Sequence, residues 1–145
     1  MLKKDDLNLI KVLRTNCRAK VSEISSEINM PLSTVYEKIN NTGNLIKRFT
    51  CILNHEEWGN SVHSFAIIKV SPKDKPGLQN ELEQCNNVNL LWKINNGSDF
   101  LAEFIFKNLF EFESYKESLE SRFSIKNISV YFMIDEVKKE AFLPL

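Results

Sequence analysis

An α+β chain in two parts is predicted by three observations. Apolar residues recur at helical spacing through Ile39, branched and aromatic runs bounded by turn residues dominate the rest, and the charge divides along the same line. Residues 1–50 carry nine Lys or Arg against five Asp or Glu, whereas residues 51–145 carry ten against fourteen. A basic module thus precedes an acidic one, although the whole chain is neutral. Hydrophobic residues at 43% and charged residues at 26% are ordinary for a folded protein and argue against wholesale disorder.

The elements follow in order. In Leu7 to Thr15, Leu9, Ile10, Val12 and Leu13 mark one helical face, and Asp5 and Asp6 sit where they favour the positive helix N-terminus. Val21, Ile24 and Ile28 give a second helix of about two turns. Pro31 occupies a first helical position, and Leu32, Val35, Tyr36 and Ile39 form the inner stripe of a third helix that Gly43 ends. Helices this short do not persist alone, so the three must share a core, in the spacing of a helix-turn-helix. Leu45 to Leu53 reads as a strand and Asn54 to Ser61 as a polar connection. After it come a strand His63 to Val70, a helix Leu78 to Cys85, and a strand Val88 to Asn95. The turn Asn96-Gly97-Ser98-Asp99, a strand Phe100 to Phe106, a helix Leu109 to Phe123 and a strand Ile128 to Ile134 complete the chain. The order β-α-β-β-α-β is that of a ferredoxin-like α/β sandwich. The expected divisions are a helix-turn-helix domain at 1–47, a linking strand and hinge at 48–61, and a ferredoxin-like domain for dimerisation and effector binding at 62–145.

Both parities of FAIIKV, FLAEFIF and VYFMI are apolar, so both faces of the sheet call for burial, and two helices cover only one. A second copy of the sheet is the expected cover, which makes the chain a homodimer through the sheet face; the competing cover is the N-terminal module folded back. No apolar run approaches the roughly 18 residues of a membrane helix, and the N-terminus lacks a signal-peptide core, so a cytoplasmic protein without a membrane partner is expected. Cys17, Cys51 and Cys85 form no CxxC pair and are expected to be buried, reduced thiols, with no metal site.

The candidate interface is the third helix. The second helix of a helix-turn-helix lies in the major groove and its early residues meet bases and phosphates. Ser33, Thr34, Tyr36, Glu37, Lys38, Asn40 and Asn41 supply the short polar groups, with Lys38 and Lys47 as phosphate partners and the Asn amides suited to adenine. Read plainly, the same residues are the solvent-facing side of a small helical bundle.

Asn16, Arg18, Glu23, Ile24, Ser33-Thr34-Val35 and Lys38-Ile39 together resemble the N-terminal domain of Lrp/AsnC-type transcription regulators. HSFAIIKVSP, the NGSDF turn and the ending VYFMIDEVKKEAFLPL resemble that family's ligand-binding domain, so the resemblance runs through nearly the whole chain. It implies a winged helix-turn-helix followed by βαββαβ. The third helix would read double-stranded DNA, and the strand Ile46 to Leu53 would pair across a dimer that assembles further, to a tetramer or octamer. An amino acid or related effector would sit at the turn Gly97, Ser98, Asp99, with Asp99 taking the ammonium and backbone N–H groups the carboxylate; no other cofactor is implied.

Three departures bear on DNA binding. Tyr36-Glu37-Lys38 replaces a more cationic pattern, the connection Asn40-Asn41-Thr42-Gly43-Asn44 is about two residues shorter than usual, and Lys20 stands where Ser or Thr normally caps the second helix, a loss of about 1 kcal/mol. Two rival readings follow. One is a regulator partner that has lost DNA affinity, favoured by Glu37. The other is an enzyme similar to the siroheme decarboxylases, which LIKRFTCILNH resembles, with His55 or His63 assisting. The Arg-Pro-rich sequence of those enzymes is absent, and no other catalytic constellation appears, so the chain is expected not to be an enzyme.

Overall fold

Three short helices packed on one another open the chain. The computed structural model describes residues 4–41, 43 and 45–143, which fall into two compact units, Met1–Ile52 with Val137–Leu145, and Leu53–Glu136. Thr42 and Asn44 of the connection after the third helix, and Pro144 and Leu145 of the C-terminal motif, lie outside the described residues.

The first unit contains α1 (Lys4–Thr15), α2 (Val21–Glu27) and α3 (Leu32–Asn40). Leu9, Val12, Leu13, Ile24, Met30 and Val35 are its buried core. Asp5 and Asp6 lie in the first turn of α1 and Arg14 in the last, each complementing the helix dipole. α2 has seven residues, too few to persist without this packing. Lys20 provides no side-chain cap, but its backbone N–H donates to the Glu23 carboxylate at 3.0 Å, so half of a capping box survives the unusual residue. The C-terminal stretch was expected with the second domain, yet it belongs to this unit: Arg14 Nε donates to the Phe142 carbonyl at 3.1 Å and its guanidinium pairs with Glu140.

The second unit is the expected sandwich. A 3-10 turn (Glu56–Trp58) precedes β1 (Val62–Val70), α4 (Lys75–Gln84), β2 (Val88–Lys93), β3 (Phe100–Phe106), α5 (Leu109–Arg122) and β4 (Ile125–Phe132). The sheet order is β2-β3-β1-β4 with every neighbouring pair antiparallel. β1 alternates strictly: Val62, Ser64, Ala66, Ile68 and Val70 are buried with Leu78, Leu82, Phe104, Phe112 and Leu119, while His63, Phe65, Ile67 and Lys69 are half-buried on the opposite face. Register sets Phe65 across from Glu103 and Tyr131, and Ile67 across from Leu101 and Ser129, so apolar Phe65, Ile67, Leu101 and Tyr131 share this open face with polar Glu103 and Ser129.

Two expectations are corrected. Residues 45–53 form no strand among the described residues, and Leu45, Phe49, Ile52 and Leu53 stay exposed. A strand is stable only with a ladder partner, and this segment has the side chains for one but no neighbour in its own chain to supply it. Of the cysteines, Cys17 and Cys51 are exposed rather than buried, because one lies in the α1–α2 turn and the other in that unpaired segment; all three are free thiols. Elsewhere element ends shift by a few residues; α4 begins at Lys75 and β4 at Ile125.

Candidate DNA-reading helix and effector cleft

The apolar stripe of α3 decides which polar groups face outward. With Val35 buried and Ile39 packed against the core, Ser33, Tyr36, Glu37 and Asn40 fall on the solvent side, and Tyr36 is 61% exposed. Asn41 at the helix end is exposed, as is Lys47 further along. Thr34 and Lys38 are half-buried, on the wall of a groove between α1 and α3 that also takes in Asp6 and Asn41. Lys38 is not a free cation there: its ammonium pairs with the Asp6 carboxylate of α1, both side chains about three-quarters buried. Six of the eight residues expected at the interface thus lie on α3, with Lys38 shared with α1, while Asn41 is the C-cap of the helix and Lys47 is exposed beyond it. Asp6 was read as a helix-dipole residue; nothing local reveals its second role.

The second candidate is the β2–β3 turn. Asn96 and Gly97 both adopt left-handed φ, +62° and +88°, which glycine reaches without strain and Asn more easily than most residues. The turn delivers Asp99 into the end of the sheet, where its backbone N–H donates to the Ile68 carbonyl at 2.9 Å and its side chain is 5% exposed. Both oxygens of the carboxylate are engaged. Val70 N–H donates to Oδ2 at 2.9 Å, Lys75 Nζ from α4 lies 2.5 Å from Oδ1, and Lys69 Nζ lies 3.6 Å from Oδ2. Burial disfavours its charge, but the bonds from Lys75 and Val70 and the field of Lys69 outweigh it and hold the carboxyl below the ordinary value of 3.8. Gly97 and Ser98 form the outer part of the turn, and beside Asp99 opens a cleft of about 460 Å³ walled by Lys75, Gln79, Lys93, Ile94 and Phe100. Lys69 and Lys75 were missed because their partner is distant in sequence.

This geometry has a titration consequence. A folded-state pKa below the unfolded one means Asp99 binds a proton less readily when folded, so its stabilisation is complete above about pH 4 and lost as pH falls through the depressed value. Urea midpoints between pH 6 and pH 3 are expected to fall more steeply for the natural chain than for Asp99→Asn; coincident profiles would remove Asp99 from the account.

On the open sheet face, His63 Nε2 lies 2.6 Å from Glu103 Oε1, and Asn89 Nδ2 donates to Glu103 Oε2 at 2.6 Å. The His55 ring stands 5.9 Å from that of His63. His63 is therefore committed to a carboxylate inside an apolar sheet. Among the described residues there is no cluster of His, Cys, Asp or Glu able to hold a metal, and no helix is long and apolar enough to cross a membrane.

Comparison with known proteins agrees with this two-unit plan. No family model matches the chain. It is 24% identical over 142 residues to the HTH-type transcriptional regulator FL11 of Pyrococcus abyssi, spanning 97% of this chain and 94% of that one. It is 21% identical to the glutamate uptake regulatory protein of Zymomonas mobilis, over 97% and 88% of the two chains. Among solved structures, a transcriptional regulator of Neisseria meningitidis in complex with L-Met superposes with a TM-score of 0.90 at 18% identity, over 99% and 97% of the chains. LrpC of B. subtilis gives 0.85 at 17%, over 95% and 98%. The two-domain fold is that of these proteins, and the resemblance to Lrp/AsnC-type regulators holds from end to end.

Proposed function

We propose that this chain, an Lrp/AsnC-type transcription regulator by its relatives and its fold, binds specific sites on double-stranded DNA as a homodimer and responds to a small-molecule effector. The observation that carries the reading is α3: a helix held by Leu9, Ile24 and Val35 turns Ser33, Tyr36, Glu37 and Asn40 to solvent, in a module with a net +4 over residues 1–50. Hydroxyls at the start of such a helix suit phosphates and base edges, and the amides of Asn40 and Asn41 at its end, with Lys47 beyond, extend the polar surface. Thr34 and Lys38 act from the groove side, Lys38 through whatever share of its charge Asp6 leaves. Dimerisation through the open sheet face is supported by its composition, with Phe65, Ile67 and Leu101 half-buried and Trp92 and Tyr131 more than half exposed. Two copies joined there present two α3 helices to one duplex, and the exposed, unpaired 45–53 segments are then available to pair with each other. Assembly to tetramer or octamer and an effector at the Gly97-Ser98-Asp99 turn complete the proposal.

The test is fluorescence anisotropy with a labelled duplex from the protein's own upstream region at two salt concentrations. Affinity is expected to fall steeply with salt, by about a factor of 10³ or more between 50 and 200 mM where six or more phosphates are contacted. Tyr36→Ala and Asn40→Ala are each expected to cost about 1–3 kcal/mol in specific binding. Binding insensitive to salt, or unchanged in both variants, overturns the assignment of this face. One observation favours a second reading, a partner that modulates a related regulator without contacting DNA itself: the reading helix exposes Glu37 while its own cation is paired with Asp6. A folded, dimeric protein with no affinity for any fragment of its upstream DNA would support that reading.

A further inference from the structure

We propose that the cleft beside the Asn96–Asp99 turn takes a small organic dianion, such as a dicarboxylate, rather than a neutral amino acid anchored by its ammonium; the inference rests on the effector reading above. The residue that would hold an ammonium is already paired with two lysines. Asp99 is the single carboxylate on the cleft wall, its side chain is 5% exposed, and its oxygens are taken by Lys75 at 2.5 Å, by the Val70 N–H at 2.9 Å and by Lys69 at 3.6 Å. An incoming ammonium must displace a lysine from a carboxylate that lies almost out of solvent, gaining one ion pair by breaking another.

The cations are in excess. Lys69 and Lys75 share the one Asp99 carboxylate, and Lys93 on the cleft wall adds a further positive charge. Lys93 is exposed on the cleft wall at the end of β2, and Lys75 stands at the start of α4, where the helix dipole adds to the positive field. A second ammonium entering this field is repelled, whereas a ligand with two acidic groups neutralises it. The remaining polar wall residue, Gln79, donates one amide N–H to Glu83 at 2.6 Å. Half-buried Ile94, backed by the buried Phe100, supplies the apolar wall against which a short carbon chain between two carboxylates can lie.

The experiment is isothermal titration of the full chain with succinate, L-leucine and sulfate, repeated on Lys93→Ala. Lys93 is exposed and outside the buried core, so its loss leaves the fold intact, and matching thermal unfolding of the unliganded proteins verifies that. Succinate is expected to bind at least about ten-fold more tightly than L-leucine, and Lys93→Ala to weaken succinate by about ten-fold or more, the scale of one charge-assisted contact. L-leucine bound as tightly as succinate overturns the inference while leaving the effector reading standing. Sulfate bound as tightly as succinate, or succinate binding unchanged in Lys93→Ala, overturns it in favour of diffuse charge screening. Absence of binding by succinate and L-leucine alike rejects both the inference and the effector at this turn, and leaves the DNA reading to its own assay.

Discussion

A chain carrying Ile67→Asp is expected to sediment as a folded monomer and to lose most of its affinity for operator DNA. Ile67 lies on the open sheet face, opposite Leu101 on β3 and Ser129 on β4, and is absent from the core beneath α4 and α5. The substitution therefore spares the packing that holds the sandwich together. Across a two-fold interface each copy would bury an unpaired carboxylate, at a cost of several kcal/mol per charge. Separated subunits also lose the advantage of binding two half-sites at once, so DNA affinity should drop by roughly 10²- to 10⁴-fold. Analytical ultracentrifugation read beside the anisotropy assay decides the matter. A variant that still dimerises, or a natural chain already monomeric at micromolar concentration, removes the sheet face as the interface.

Phe104→Ala is expected to be the most damaging single change to the fold itself. The ring is 1% exposed, in the central strand β3, with ring centroids of Phe112, Tyr115 and Phe106 at 5.7, 6.0 and 6.3 Å. Truncating a buried Phe costs about 3–5 kcal/mol through lost transfer energy and the cavity left behind. That is a large share of the 5–15 kcal/mol typical of a domain, so the urea midpoint should fall sharply while the midpoint for Tyr36→Ala, on the exposed side of α3, barely moves. A loss below about 1 kcal/mol for Phe104→Ala would mean that α5 packs on the sheet by other contacts.

What could be read from the residues divides by the range of the interaction. β3 runs from Phe100 to Phe106 as its branched and aromatic run predicted, because alternation and turn residues are local signals. The helices likewise form where apolar spacing placed them. Leu32 and Tyr36, expected on the inner stripe of α3, are however 54% and 61% exposed, because a nine-residue helix on a small core buries only Val35 and packs Ile39. Gly97 carries the positive φ of its turn. The segment 45–53 has the same local signal for a strand and does not form one, since a ladder needs a second strand that sequence pattern cannot provide.

The chemistry of the candidate sites shows the same boundary more sharply. Periodicity pointed to α3 as the polar helix, the resemblance to Lrp/AsnC-type regulators pointed to the Asn96–Asp99 turn, and the charge count separated a basic module from an acidic one. Only tertiary structure decided that Lys38 shares its charge with Asp6, 32 positions away, and that Asp99 receives the Val70 N–H from 29 positions away with Lys75 closing over it. Helix and strand periods repeat within a few residues and leave their mark in any window. A charge pair depends on how separate elements come together, and so it is written in the packing rather than in the spacing.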